Sequence, residues 1–117
     1  MRKNQYKKLD EFIFEYEDYR DPANGKFMGI EFEYNGKFYR MCREPLDACQ
    51  KSEDGFLLEY DVMQIVTSSG NYLDDEMEYL PIGWYRDLND VLENCLIEGK
   101  KFKEVIIDDC TEILGQD

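Results

Sequence analysis

The chain has 117 residues, with 27 acids against 14 bases, no histidine and a net charge of −13. That length suits one domain, which buries roughly two-thirds of the surface its unfolded chain exposes and so needs neither a metal nor a disulfide staple. A hydrophobic content of 43%, with 15% aromatic, excludes a disordered chain, and the charge argues against direct binding of nucleic acid or an anionic membrane.

Residues 1–8 hold Arg2, Lys3, Lys7 and Lys8 and no acid, and read as a frayed basic tail ahead of a single domain over 9–117. The start of the chain has no apolar signal segment, and no run approaches a membrane span. The cysteines Cys42, Cys49, Cys95 and Cys110 lack C-x-x-C spacing. Together these features fit free thiols in a reducing cytoplasm.

Nine tyrosines and seven phenylalanines favour strands. From Leu9 to Tyr16 the pattern has period two: Phe12, Phe14 and Tyr16 lie on one side, Glu11, Ile13, Glu15 and Glu17 on the other. It predicts a strand over 9–19, ended by the turn residues Asp21-Pro22-Ala23-Asn24-Gly25. Next, Asn35-Gly36 sits between two alternating runs, the strongest short hairpin signal, because both residues accept the positive φ of a type I′ turn. A two-residue loop fixes the register, pairing Tyr34 with Lys37, Phe32 with Tyr39, Ile30 with Met41 and Met28 with Arg43 on a mostly apolar core face. Glu33 then pairs with Phe38, and Glu31 with Arg40, on the wet face.

Residues 44–55 are polar, broken by Pro45 and Gly55, and predict a loop or a short helical turn. Phe56, Leu58, Tyr60, Val62 and Val66 alternate with Glu59, Asp61 and Met63, predicting a further strand interrupted at Gln64; a helix over 57–66 competes with it. A connection over 67–71 and the acids Asp74, Asp75, Glu76 and Glu78 lead to a short strand near Tyr79-Leu80. The clearest helix starts at Asp87, an N-cap: Leu88, Val91, Leu92, Cys95 and Leu96 form one apolar stripe, and Gly99 fits a stop past its last turn. Phe102, Val105 and Ile106 suit a helical turn, Val105-Ile106-Ile107 a strand, and Thr111–Leu114 a closing edge strand. The expected fold is α+β: an antiparallel sheet of four to five strands with one main C-terminal helix packed on its apolar face.

The most suggestive constellation is acidic. If the strand at 9–19 pairs with the one at 27–34, Glu15, Glu17, Glu31 and Glu33 share a solvent face. Like charges at strand spacing repel by about 0.2–1 kcal/mol per close pair. Thr, Ser or Lys would give a polar face without that repulsion, so the acids point to a cationic partner; a merely solvated face is the plain reading. Trp84 and Tyr85, just ahead of the helix, are a second candidate contact, against the plain reading of a turn packed over the helix base. Cys42, beside Arg40 and Arg43, is either an activated thiol or an ordinary one.

Asp74-Asp75-Glu76 and Asp108-Asp109-Cys110 do not match a calcium loop, and the cysteines lack zinc-finger spacing, so no metal and no cofactor is assigned. Without histidine no Cys-His dyad can form, and no catalytic residue is assigned. The reading is a small non-enzymatic protein that binds a cationic protein surface through Glu15, Glu17, Glu31, Glu33, Trp84 and Tyr85. One alternative is a nucleic-acid mimic of the phage type that inhibits a DNA- or RNA-handling enzyme. Another is a small enzyme or ligand-binding domain with a pocket between sheet and helix.

Overall fold

The computed structural model describes residues 6, 8–16, 28–72 and 76–116. Leu9–Tyr16 is an α-helix (α1), not the expected strand. Leu9, Phe12, Ile13 and Tyr16 also stand at i, i+3, i+4 and i+7, and that helical stripe prevails over the alternation. Phe12 and Tyr16 are buried, with Leu9 and Ile13 packed beside them. The Glu11 carboxylate accepts from the Lys8 backbone N–H at 3.0 Å, satisfying one free donor at the helix start. Eight residues are too few for a helix to stand alone, so packing holds it.

Two antiparallel strands follow, β1 (Gly29–Tyr34) and β2 (Lys37–Arg43). Asn35 and Gly36 between them take φ of 52° and 79°, and the pairing runs Tyr34 to Lys37, Phe32 to Tyr39 and Ile30 to Met41, as the turn dictates. The Arg43 N–H donates to the Met28 carbonyl at 2.8 Å, continuing that register. A 3₁₀ turn over Leu46–Ala48 and a small ribbon, β3 (Gln50–Lys51) with β4 (Leu57–Leu58), lead to β5 (Tyr60–Thr67) and β6 (Met77–Tyr85). The single strand expected over 56–66 is thus split into β4 and β5, which belong to different sheets, no helix forms over 57–66, and the short strand expected near Tyr79 is nine residues long.

Helix α2 (Leu88–Asn94) begins at the Asp87 cap, whose carboxylate accepts from the Asp90 N–H at 2.8 Å. Its buried stripe holds Leu88, Val91, Leu92 and Cys95; Leu96 is outside it and 56% exposed. The chain leaves the helix into a second ribbon, β7 (Leu96–Ile97) and β8 (Lys100–Lys101). Gly99 thus serves that hairpin turn with Glu98 rather than ending the helix. Helix α3 (Phe102–Val105) and strand β9 (Glu112–Gln116) complete the chain. In place of one main C-terminal helix, three short helices occur among the described residues.

The main sheet has five antiparallel strands in the order β6-β5-β2-β1-β9. The three helices pack on one side of it, here the inner face. Phe12 stacks on Tyr16 at 4.7 Å, and Phe102 meets both Phe12 at 6.0 Å and Phe32 at 5.7 Å, tying α1 and α3 to β1. Tyr6 is buried against Phe12 at 5.4 Å. The Tyr60 hydroxyl donates to the Tyr16 carbonyl at 3.4 Å, and the Gln116 amide to the Tyr16 hydroxyl at 2.9 Å, fixing the end of α1 to the sheet. Among the described residues no helix is long and apolar enough to cross a membrane.

Candidate functional site

Strand alternation turns every other residue of each strand to the other side of the sheet, the outer face. Register places them in rows. Trp84 on β6 lies opposite Asp61 on β5, which lies opposite Cys42 on β2. The next row runs Pro81, Met63, Arg40, Glu31 and Gly115, and the third Tyr79, Ile65, Phe38, Glu33 and Glu112. The β6–β5 half is thus largely aromatic and aliphatic, and the β1–β9 half is carboxylate. Glu33 and Glu112 are directly opposite on adjacent strands, and Glu31 lies two residues from Glu33, at spacings of about 4.8 and 6.8 Å for ladders of this kind.

Three side chains tune the middle of the face. Asp61 is only 8% exposed. Burial raises its carboxyl above the ordinary value, the Glu44 charge adds to that, and Arg40 opposes both. Arg40 also points a guanidinium nitrogen at the Cys42 sulfur, 3.7 Å away. Tyr72 leans over Phe38, with ring centroids 5.5 Å apart, and its hydroxyl donates to the Glu31 carboxylate. Glu31 is thereby held in place from above the sheet.

Glu31, Glu33 and Trp84, expected from sequence to be contact residues, share this face. Tyr85 does not. It pairs with Tyr60 and packs on the core side, its ring so close over Gly83 that a Cβ there would meet the Tyr85 hydroxyl at 2.6 Å. That hydroxyl bonds the buried Cys95 thiol. Burial raises the Tyr85 phenol, and the Cys95 hydrogen bond adds to the rise. Trp84 lies within a strand and not in a turn at the helix base. The Glu15 side chain and all of Glu17 lie outside the described residues. The partner expected for β1 in that region is replaced: β1 pairs with β9, so Glu112 stands where a Glu15 or Glu17 carboxylate was expected. Arg43 lies buried on the inner face, as the hairpin register predicts, so of the two arginines expected beside Cys42 it is Arg40 whose guanidinium reaches the thiol.

Sequence reasoning missed Asp61 and Glu112 as members of the site. The alternation Tyr60-Asp61-Val62-Met63 already marks Asp61 as facing the same way as Met63, so that signal was present. Glu112 joins the face only through the β1–β9 register, which no local pattern encodes.

A cleft of about 410 Å³ at the open end of β5 and β6 is lined by Val66, Thr67, Ser68, Glu76, Met77 and Glu78. A smaller one of about 250 Å³ lies between α1 and α2, against Ile13, Leu88 and Leu92. All four cysteines are free thiols. Among the described residues, no three His, Cys, Asp or Glu side chains gather as a ligand set for one metal ion.

No protein-family model, no curated protein and no solved structure matches this chain.

Proposed function

We propose that this chain is a non-enzymatic interaction protein that binds a cationic protein surface with the outer face of its sheet. The observation that supports this reading is the sharing of one face by Trp84, Asp61, Glu31, Glu33 and Glu112, opposite the helical layer. An aromatic anchor beside fixed carboxylates suits a partner offering lysines or arginines around an apolar patch. The charges steer and orient the encounter, and the aromatic side supplies the burial that slows dissociation.

The test is partner capture on the immobilised chain, with a Glu31→Lys/Glu33→Lys chain and a Trp84→Ala chain alongside. The expected result is a basic protein retained by the parent, released as salt rises, and lost from both variants. Retention of the same proteins by both variants would refute this use of the face. A second reading, mimicry of nucleic acid, is favoured by the adjacent carboxylate rows of Glu33, Glu112 and Glu31. In that case duplex DNA or RNA displaces the captured partner; a partner indifferent to both contradicts mimicry.

A further inference from the structure

The two edges of the sheet differ. Strand β9 is half-buried along its length, and its Gln116 amide is engaged by Tyr6 and Tyr16. Strand β6 is exposed at Glu78, Tyr79, Leu80 and Pro81, and among the described residues it pairs only with β5. Edge strands in soluble proteins are commonly blunted by lysines, prolines or bulges. Met77–Tyr85 contains no lysine; its proline stands at the midpoint, Pro81, and its irregularity of register just after it, at Ile82.

The direction of the free backbone groups follows from one hydrogen bond. The Glu76 carbonyl accepts from the Ser68 N–H at 3.2 Å, so residue 76 faces the neighbouring strand. Alternation then turns Glu78 and Leu80 toward β5, and Met77, Tyr79 and Pro81 toward the open side. Pro81, with no N–H to lose, sits where a strand tolerates proline. Met77 and Tyr79 present N–H and C=O groups outward, and Pro81 presents a carbonyl.

We infer that Met77–Pro81 is a docking edge that takes up an extended, basic segment of a partner protein as an added antiparallel strand. Charge selects the occupant. Glu76 and Glu78 flank the open groups within a chain of net charge −13, so a second copy is repelled and a lysine- or arginine-bearing segment is attracted. The 410 Å³ cleft adjoins Met77 and Glu78. A cationic side chain of the added strand has there the exposed Glu78 carboxylate. This site is an edge, distinct from the outer face, and either can operate without the other.

Amide hydrogen exchange on the full chain, read by NMR with a short peptide of alternating lysine and valine, tests it. In the free chain the Met77 and Tyr79 amides exchange fast while Glu78 and Leu80 are protected. Adding peptide protects Met77 and Tyr79. Tyr79→Pro removes one outward donor and weakens binding by about tenfold. Glu78→Lys, which leaves the backbone intact, weakens it comparably. Glu31→Gln/Glu33→Gln leaves the protection in place, which separates this edge from the outer face. The inference is overturned if the peptide does not bind, if protection appears only on the outer face, or if Met77 and Tyr79 are already protected in the free chain. Protection that rises with chain concentration alone overturns it too, since the edge then belongs to a second copy.

Discussion

Arg43 and Glu59 form a buried ion pair: a guanidinium nitrogen lies 3.0 Å from a carboxylate oxygen, with the Arg43 side chain only 3% exposed. Burial lowers the Arg43 pKa, and Tyr60 and Glu59 oppose that fall. The guanidinium also stands 5.5 Å from the centre of the Tyr60 ring. This pair joins the end of β2 to the residue just ahead of β5.

Removing one member takes an ionic partner from the other. Glu59→Ala is expected to destabilise the chain by about 3–5 kcal/mol, because a buried guanidinium loses the carboxylate 3.0 Å away. Replacing both residues with methionine is expected to lose much less. Urea denaturation of the two variants decides it; equal losses would show that the carboxylate contributes packing and no compensation of charge.

The hairpin turn gives a cleaner backbone test. At Gly36 φ is 79°, and a Cβ would meet nothing within 4 Å. Gly36→Ala therefore loses only the conformational preference, about 1–2 kcal/mol in denaturant titration. No loss would mean that the turn relaxes to another type.

Phe12 tests the packing of α1. Its ring contacts Tyr6, Tyr16 and Phe102 and is fully buried. Phe12→Ala is expected to lower stability by about 3–5 kcal/mol, and Asp10→Ala, on the exposed face of the same helix, by less than about 0.5 kcal/mol. Thermal melts of both variants check the pair. Equal effects would contradict the helical placement.

Asp61 predicts a pH dependence. Its carboxyl is raised in the folded chain, so ionising it opposes folding: the cost is fully present above the folded value and gone below the ordinary value of 3.8. Asp61→Asn is expected to melt above the parent at neutral pH, with the difference closing as pH falls toward 3.8. A variant that melts below the parent at neutral pH would show that the attraction to Arg40 outweighs burial.

The thiols should label in order of access. Cys110 is exposed, although a hydrogen bond from its thiol to the Asp108 carboxylate, together with the Asp108 charge, raises its pKa. Burial raises Cys95, and the Tyr85 hydroxyl partly opposes it. Timed alkylation followed by mass spectrometry should modify Cys110 in the native chain and Cys95 only on unfolding. Native labelling of Cys95 at the rate of Cys110 would contradict the packing of α2.

By itself the sequence determined the parts that rest on local chemistry. Asn35-Gly36 set the hairpin and its register, because two adjacent positive-φ residues leave few other turns open. Asp87 set the start of α2 through its own side chain. Alternation separated the wet residues Glu31 and Glu33 from the buried Ile30 and Phe32. Tertiary structure decided the rest. Leu9–Tyr16 carries both an alternating and a helical apolar pattern, and only the aromatic core around Phe102 selects the helix. The helix after Asp87 stops at Asn94 because its chain turns into a ribbon, which no cap residue announces. Glu112 comes beside Glu33 through pairing of strands nearly eighty residues apart. A contact of that span is set by the packing of the whole domain, and so is the membership of the outer face.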